Sequence, residues 1–371
     1  MKYDVVIIGG GIGGLTAGAL LARRGLQVLI LEQGESTGGY VTSFERGGFR
    51  FDATGAFLGG CEQGREFYSI LEQTGAQRHL RFLRIEAARN IYPDFSLDLH
   101  LLGGFEEYIK GVRELFPEER EALRDYFKLI RTIGEEIALY GTLKWWRKPL
   151  FPLYFRHLIL YQRAPLGHIL DRYFQGKGIK LVLSTLPSHL PPSRLSFLFT
   201  ATLITKVLAQ GVWYPKGGME AVPHALEAAF LEEGGELRLK AEVERIEVSG
   251  GRVKGVLTTG GEFFPAQRVV AAINIRRALV DMLPEEYGRK MRSRVQSLEY
   301  SLSSFLVYLG VKMDLAHLSL PYFIYLSLGD VEREYEQLGR GEMPSDPTAV
   351  SYTHLRAHET RHDLVCRLLL E

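Results

Sequence analysis

With 371 residues, 46% of them hydrophobic and 24% charged, the chain is long enough to bury two separate cores. A net charge of +1 excludes the overall attraction that draws a protein to nucleic acid or to an anionic membrane, so any such contact has to be local. Two cysteines, Cys61 and Cys366, make neither a disulfide framework nor a zinc spacing. No run reaches the ~18 apolar residues of a spanning helix, so a cytoplasmic protein is expected, at most peripheral on the inner face of the membrane.

No signal peptide is expected before the first strand, in which Val5, Val6, Ile7 and Ile8 are apolar on both faces, as in a strand buried in a parallel sheet. Gly9, Gly11 and Gly14 follow in G-x-G-x-x-G spacing. One glycine serves the tight turn, one the approach of the backbone to a pyrophosphate, and one the packing of helix on strand. Ile12 and Gly13 open that helix, whose N-terminal N–H groups and positive dipole end suit phosphates. Gly25 caps it. A second strand, Val28 to Leu31, ends at Glu32, the acid expected about twenty residues on to bond a ribose 2′-hydroxyl, and a carboxylate there argues against a 2′-phosphate. Strand, glycine turn, helix, strand and acid together make a dinucleotide site.

Gln33 follows the acid, then the pair Gly38-Gly39 and Tyr40. Thr42 to Phe51 reads as a hairpin around Gly47-Gly48, after which FDATGAF, 51 to 57, returns towards the cofactor. From about Gly75 the pattern changes to a strand at 93–101 and amphipathic helices at 105–116 and 118–139, a second domain inserted into the first. Between Glu136 and Asp171 no acidic residue occurs, while Lys144, Arg147, Lys148, Arg156 and Arg163 lie among Trp145, Trp146, Phe151, Tyr154, Phe155 and Tyr161. Such a stretch, 144–163, suits an anionic membrane surface; it equally suits a cap with aromatics in its core and cations in solvent. His157 and His168 read as surface or packing residues, and Cys61 as inert packing.

GVWYPKGGM, 211 to 219, breaks the helical region, and a helix is expected at 221–233. Strands are then expected at 236–240, 242–248, 253–258 and 268–272, with Asn274 at the carboxyl edge where α/β sheets bind ligands, unless it is simply a turn former. Residues 303–311 read as an apolar strand.

The glycine pair after the ribose acid, the hairpin ending FDATGA, GVWYPKGGM and GGELRLKAEVERIEVSGGRVKGV at 234 to 256 together resemble the FAD-dependent amine-oxidase superfamily. The likeness is greatest to its carotenoid branch of phytoene desaturases, carotenoid isomerases and retinol saturases, and it runs to about residue 348. Many members carry Arg after the glycine pair; this chain has Tyr40. The resemblance implies FAD, a loop of Thr54, Gly55, Ala56 and Phe57 beside the flavin ring, and the Val243 backbone against the adenine. It also implies a last glycine-rich segment after the substrate domain that nothing beyond Thr348 matches.

His354, His358, His362 and Cys366 stand at four-residue steps like metal ligands on one helix face. Yet VSYTHLRAHET and LVCRLLLE are what a sequencing-library adapter gives when translated, so 349–371 is expected to be an artefactual tail, and no metal is expected.

The fold expected is α/β: a Rossmann-like FAD-binding domain with a parallel sheet, from 1–74 and 208–285, and a mixed α+β substrate domain, from 75–207 and 286–348. No second G-x-G-x-x-G follows a strand, so electrons pass by oxygen, a quinone or a directly docking nicotinamide. By resemblance the chemistry is desaturation, saturation or isomerisation of a hydrophobic isoprenoid, and a polyene demands no catalytic base. The alternatives are an amine or protoporphyrinogen oxidase, or a prenyl-binding escort protein without redox chemistry, which intact glycines and Glu32 oppose. The residues give no oligomeric state.

Overall fold

Val5, Val6, Ile7 and Ile8 are each at most 3% exposed, and burial contributes roughly 1.5–3 kcal/mol for each such side chain. In the computed structural model, residues 3–54, 57–140, 154–185, 190–208, 210–298, 305–312, 322–327, 329–353 and 364–370 are described. The chain divides into two units, one of 1–56, 62–83 and 214–302, the other of 57–61, 84–213 and 303–371.

In the first unit the buried run is strand β1 (Tyr3–Ile8), followed by helix α1 (Ile12–Ala22) and strand β2 (Val28–Leu31), the latter buried throughout. The hairpin of β3 (Ser43–Arg46) and β4 (Phe49–Asp52) comes next. Helix α2 (Ala221–Glu232) packs beside α1 and leads into β5 (Glu236–Arg238), β6 (Val243–Ser249), β7 (Arg252–Thr258) and β8 (Phe263–Ala271). The sheet order is β5-β2-β1-β8-β7-β6. Its first four strands are parallel, and β7 and β6 continue it antiparallel.

Two strand boundaries in this unit differ by more than one residue from those expected. β8 begins at Phe263 rather than Arg268, because residues 263–265 pair antiparallel with 255–257 before 266–271 turn to pair with β1; Pro265 interrupts the alternation that would reveal this. β5 stops at Arg238 because Lys240 takes a left-handed φ of 54°, a conformation uncommon outside glycine. Its amide then donates to the Gly34 carbonyl at 2.9 Å, and that of Ala241 to the Glu32 carbonyl at 2.9 Å.

The second unit is built on a sheet in which the strands follow the order 305–311, 364–370, 349–353, 323–326, 87–91, 96–100. Only the pairing of 323–326 with 87–91 is parallel among these. Helices Gly104–Leu115 and Arg120–Tyr140 stand where the amphipathic pattern places them. Tyr126 on the second of these is fully buried against the rings of Tyr173, Phe174 and Phe197, at centroid distances of 5.7, 5.4 and 6.2 Å. The tail set apart in the sequence supplies strands Ala349–Thr353 and Leu364–Leu370. Backbone pairing is indifferent to side-chain identity and to codon origin: an apolar run fills an open strand slot whatever encodes it.

Besides the excursion at 57–61, the divisions fall at 84, 214 and 303, where 75, 208 and 286 were expected, and physical reasons are visible at two of them. Arg78 and His79 pair with Glu232 of α2, at 2.9 and 3.1 Å. Helix Arg289–Gln296 belongs with the first unit because the Arg292 guanidinium donates to the carbonyls of Val280, Leu283, Pro284 and Tyr287. Cys61, in the second unit, is buried, and burial pushes its thiol up to about 12, so it is not a reactive thiolate.

A side chain at Gly14 would place Cβ 1.9 Å from the Gly9 carbonyl oxygen, whereas one at Gly13 would meet nothing within 4 Å. Gly14→Ala should therefore cost roughly 1–3 kcal/mol and lower the melting temperature by about 3–10 °C. Gly13→Ala should leave it unchanged or raise it, since Ala gains up to about 1 kcal/mol of helix propensity. Thermal melts of both variants without added cofactor decide this, and equal melting temperatures would contradict it.

Candidate functional site

The turn between β1 and α1 is set by backbone geometry. Gly9 takes a φ of 100°, open to glycine alone at ordinary cost, and its amide donates to the Leu31 carbonyl at 2.8 Å. Gly11 is the helix N-cap in extended conformation, and no side chain caps the first-turn amides of α1. Free amides of this kind suit an anion. A Cβ on Gly11 would have no neighbour nearer than the Gly39 Cα at 3.9 Å. Nothing in the protein demands that this residue be glycine.

Gly38 and Gly39, both with positive φ of 111° and 61°, bring a second loop against that turn. The Gly38 amide donates to the Gly10 carbonyl at 2.9 Å, and Gly11 and Gly38 form a parallel bridge. Behind the pair, Thr37 Oγ1 donates to Glu227 Oε2 on α2 at 2.5 Å.

Glu32 stands at the end of β2, partly buried. Its Oε2 accepts from the Gly10 amide at 2.6 Å and its Oε1 from the Gly34 amide at 2.8 Å. Each oxygen keeps a further lone pair, so the carboxylate can shape the turn and still accept from ribose hydroxyls.

These elements enclose a cavity of about 560 Å³, within the range of ligand pockets. Of the residues singled out in the sequence, Gly9, Gly11, Ile12, Gly13, Glu32, Gln33, Gly38, Gly39, Tyr40 and Val243 line it. Gly14 lies behind the turn, buried. Thr54 is not among the lining residues; its hydroxyl donates to the Tyr40 carbonyl. Phe57 belongs to the second unit, where its ring meets Phe323 edge-on at 6.5 Å. Gly55 and Ala56 lie outside the described residues. Asn274 lines the cavity, and its Oδ1 accepts from the Arg276 amide at 2.9 Å, the turn-forming role.

Glu242 and Arg277 also line the cavity; sequence reasoning assigned a role to neither, since Glu242 entered only as part of the stretch 234 to 256 and Arg277 stands in no motif. Asp52 was quoted only as part of FDATGAF, yet it is 2% exposed and organises the hairpin. It accepts from Ser43 Oγ at 2.7 Å, Tyr214 Oη at 2.5 Å and the Met219 amide at 3.2 Å. A buried carboxylate has to be so satisfied, and an acid between two Phe-rich runs was the available signal. Among the described residues no group of three or more His, Cys, Asp or Glu could hold a metal; His354, His358 and His362 lie outside them.

Gly11→Val should leave the melting temperature of the cofactor-free protein within about 3 °C of the parent, because its side chain enters only the cavity. It should also abolish retention of the FAD expected from the sequence, read from absorbance at 450 nm (~, the flavin band) after desalting. Full flavin occupancy in the variant would remove the pyrophosphate from this turn.

Comparisons with known proteins bear on the family and the cofactor. The all-trans-retinol 13,14-reductase of Rattus norvegicus is 26% identical over 360 residues, 90% of this chain and 58% of that protein. The zeta-carotene-forming phytoene desaturase of Myxococcus xanthus is 24% identical over 355 residues, 93% of this chain and 66% of that protein. The chain thus spans little more than half the length of the retinol reductase. In fold it is similar to an oxidoreductase from Methanosarcina mazei, with a TM-score of 0.64 at 16% identity, covering 100% of this chain and 79% of that one. The model of the family described as flavin containing amine oxidoreductase matches residues 12–313. The open cradle at Gly11, the uncapped helix amides and Glu32 fit the dinucleotide part of FAD. FAD is the cofactor, and the chain belongs to the family of flavin-containing amine oxidoreductases.

Proposed function

We propose that the protein is an FAD-dependent oxidoreductase acting on carbon–carbon bonds of a hydrophobic isoprenoid, a carotenoid or retinoid-like polyene. The observation that carries this reading is the similarity, over about nine-tenths of the chain, to a retinol reductase and a phytoene desaturase. FAD, when bound, supplies the hydride chemistry. The chain's part is to seat the pyrophosphate on the α1 amides, hold the ribose at Glu32 and place the adenine against Val243. An amine or protoporphyrinogen oxidase, or a colourless prenyl-binding escort, is the competing reading on the same scaffold.

Expression in a host that accumulates carotenoid precursors, with pigment analysis, tests this. A shift in polyene absorption relative to a Gly11→Val control is expected. Yellow protein with unchanged pigments would move the reading to another oxidase, and colourless protein to the escort.

Membrane contact through 144–163 belongs to the same proposal, because a polyene is delivered from lipid. Residues 144–153 lie outside the described ones. Beyond them, helix Arg156–Tyr161 leaves Leu160 63% exposed, with Tyr140 near its start at 61%, whereas Phe155 is fully buried against Tyr140 at 5.6 Å and so belongs to the core rather than to any anchor. Glu136 holds that helix: its carboxylate accepts from the His157 and Leu158 amides and meets His157 Nδ1 at 2.6 Å. Among the described residues no helix is long and apolar enough to cross a membrane. Changing Lys144, Arg147 and Lys148 to Glu should release the protein from anionic liposomes in sedimentation, each cation contributing on the order of 1 kcal/mol. Unchanged binding would return the stretch to an ordinary cap.

A further inference from the structure

Among the described residues lining the FAD cavity, Arg277 is the sole cation, beside two acids, Glu32 and Glu242. It opens the π-helical turn Arg277–Met282, a geometry found frequently at functional sites. Its Nη1 donates to Gln33 Oε1 at 3.1 Å, and its Nη2 forms an ion pair with Glu242 Oε1. Gln33 follows the ribose acid and Glu242 precedes Val243, so one guanidinium ties together two walls of the adenosine end.

The turn that carries Arg277 is itself fastened. Arg276 Nη2 donates to the carbonyls of Gln296 and Leu298 at 3.2 and 3.1 Å. Arg292 gathers the carbonyls that end the turn, including Val280 at 3.0 Å and Pro284 at 2.9 Å. The arginine in the cavity wall is thereby carried on a turn fastened from two sides.

The charge balance gives this brace a purpose. FAD brings a doubly negative pyrophosphate, and Glu32 is committed to the Gly10 and Gly34 amides. Glu242 has no such amide partner among the described residues, and left unopposed it would repel the cofactor. We propose, on the FAD reading above, that Arg277 is a positioning residue for the cofactor: it joins Gln33 to Glu242 across the adenosine end and offsets the Glu242 carboxylate. It takes no part in the chemistry at the flavin ring.

Titrating deflavinated protein with FAD and following flavin fluorescence tests the proposal. Arg277→Gln should weaken binding about fivefold at low ionic strength, the upper range for a half-exposed pair, and the gap should narrow in concentrated salt, which screens Glu242. Adding Glu242→Gln to that variant should restore affinity to within about twofold of the parent, since neither charge then remains. A purely structural brace would not be rescued so. Parental affinity in Arg277→Gln, or no recovery in the double variant, would overturn the proposal. Failure of the parent protein itself to bind FAD would instead overturn the cofactor reading. Should Arg277→Gln not fold, Glu242→Gln alone is expected to bind FAD at least as tightly as the parent, and weaker binding would count against the charge role.

Discussion

One carboxylate fixes the cofactor cavity. Glu32 accepts from the Gly10 amide on one oxygen and the Gly34 amide on the other, which joins the turn after β1 to the chain leaving β2. Charge-assisted bonds of this kind are roughly twice as strong as neutral ones, and here they hold two loops whose separation decides whether a pyrophosphate fits. The same residue's main chain is held as firmly: its amide donates to the Arg238 carbonyl and its carbonyl accepts from Ala241, both at 2.9 Å. The left-handed Lys240 lies between those two partners. Strand β5 therefore ends where it does because the Glu32 corner needs the chain to turn there and carry Val243 to the cavity wall.

Such a corner is a binding device, and it leaves the reaction open. Folds host many chemistries, and the site, not the scaffold, selects among them. On the reading proposed above, the first unit supplies the α1 amides, Glu32 and the Arg277–Glu242 pair to the cofactor. Choice of substrate has to reside in surfaces the cradle does not include. That is why the proposed function rests on the similarity to a retinol reductase and a phytoene desaturase, which extends well past the cradle, and not on the glycine motif.

The β1–α1–β2 corner was legible in the sequence because its code is local: an apolar strand, three glycines, a helix and an acid within about thirty residues. Helices Gly104–Leu115 and Arg120–Tyr140 of the second unit were legible for a related reason, since amphipathic periodicity repeats within each. What escaped were pairings between distant segments. Arg277 meets Gln33 across 244 residues of chain, and Tyr214 meets Asp52 across 162. Nothing in the immediate surroundings of an arginine announces a partner so far away. The start of β8 was hidden differently: Phe263 to Pro265 pair with one neighbour and the rest of the strand with another, so no single alternation spans both.

Even within the legible motif, one letter conceals two physical demands. Gly9 and Gly14 are glycines on account of the protein, because a Cβ on the first would stand 2.7 Å from Ile273 Cγ2 and one on the second 1.9 Å from the Gly9 carbonyl. Gly11 has an extended backbone and empty space where its side chain would be. Neither the backbone nor any neighbouring atom requires that glycine. The structure thus separates what the spacing G-x-G-x-x-G can only assert together: two glycines close the fold, and the third, on the reading proposed above, leaves room for the phosphate.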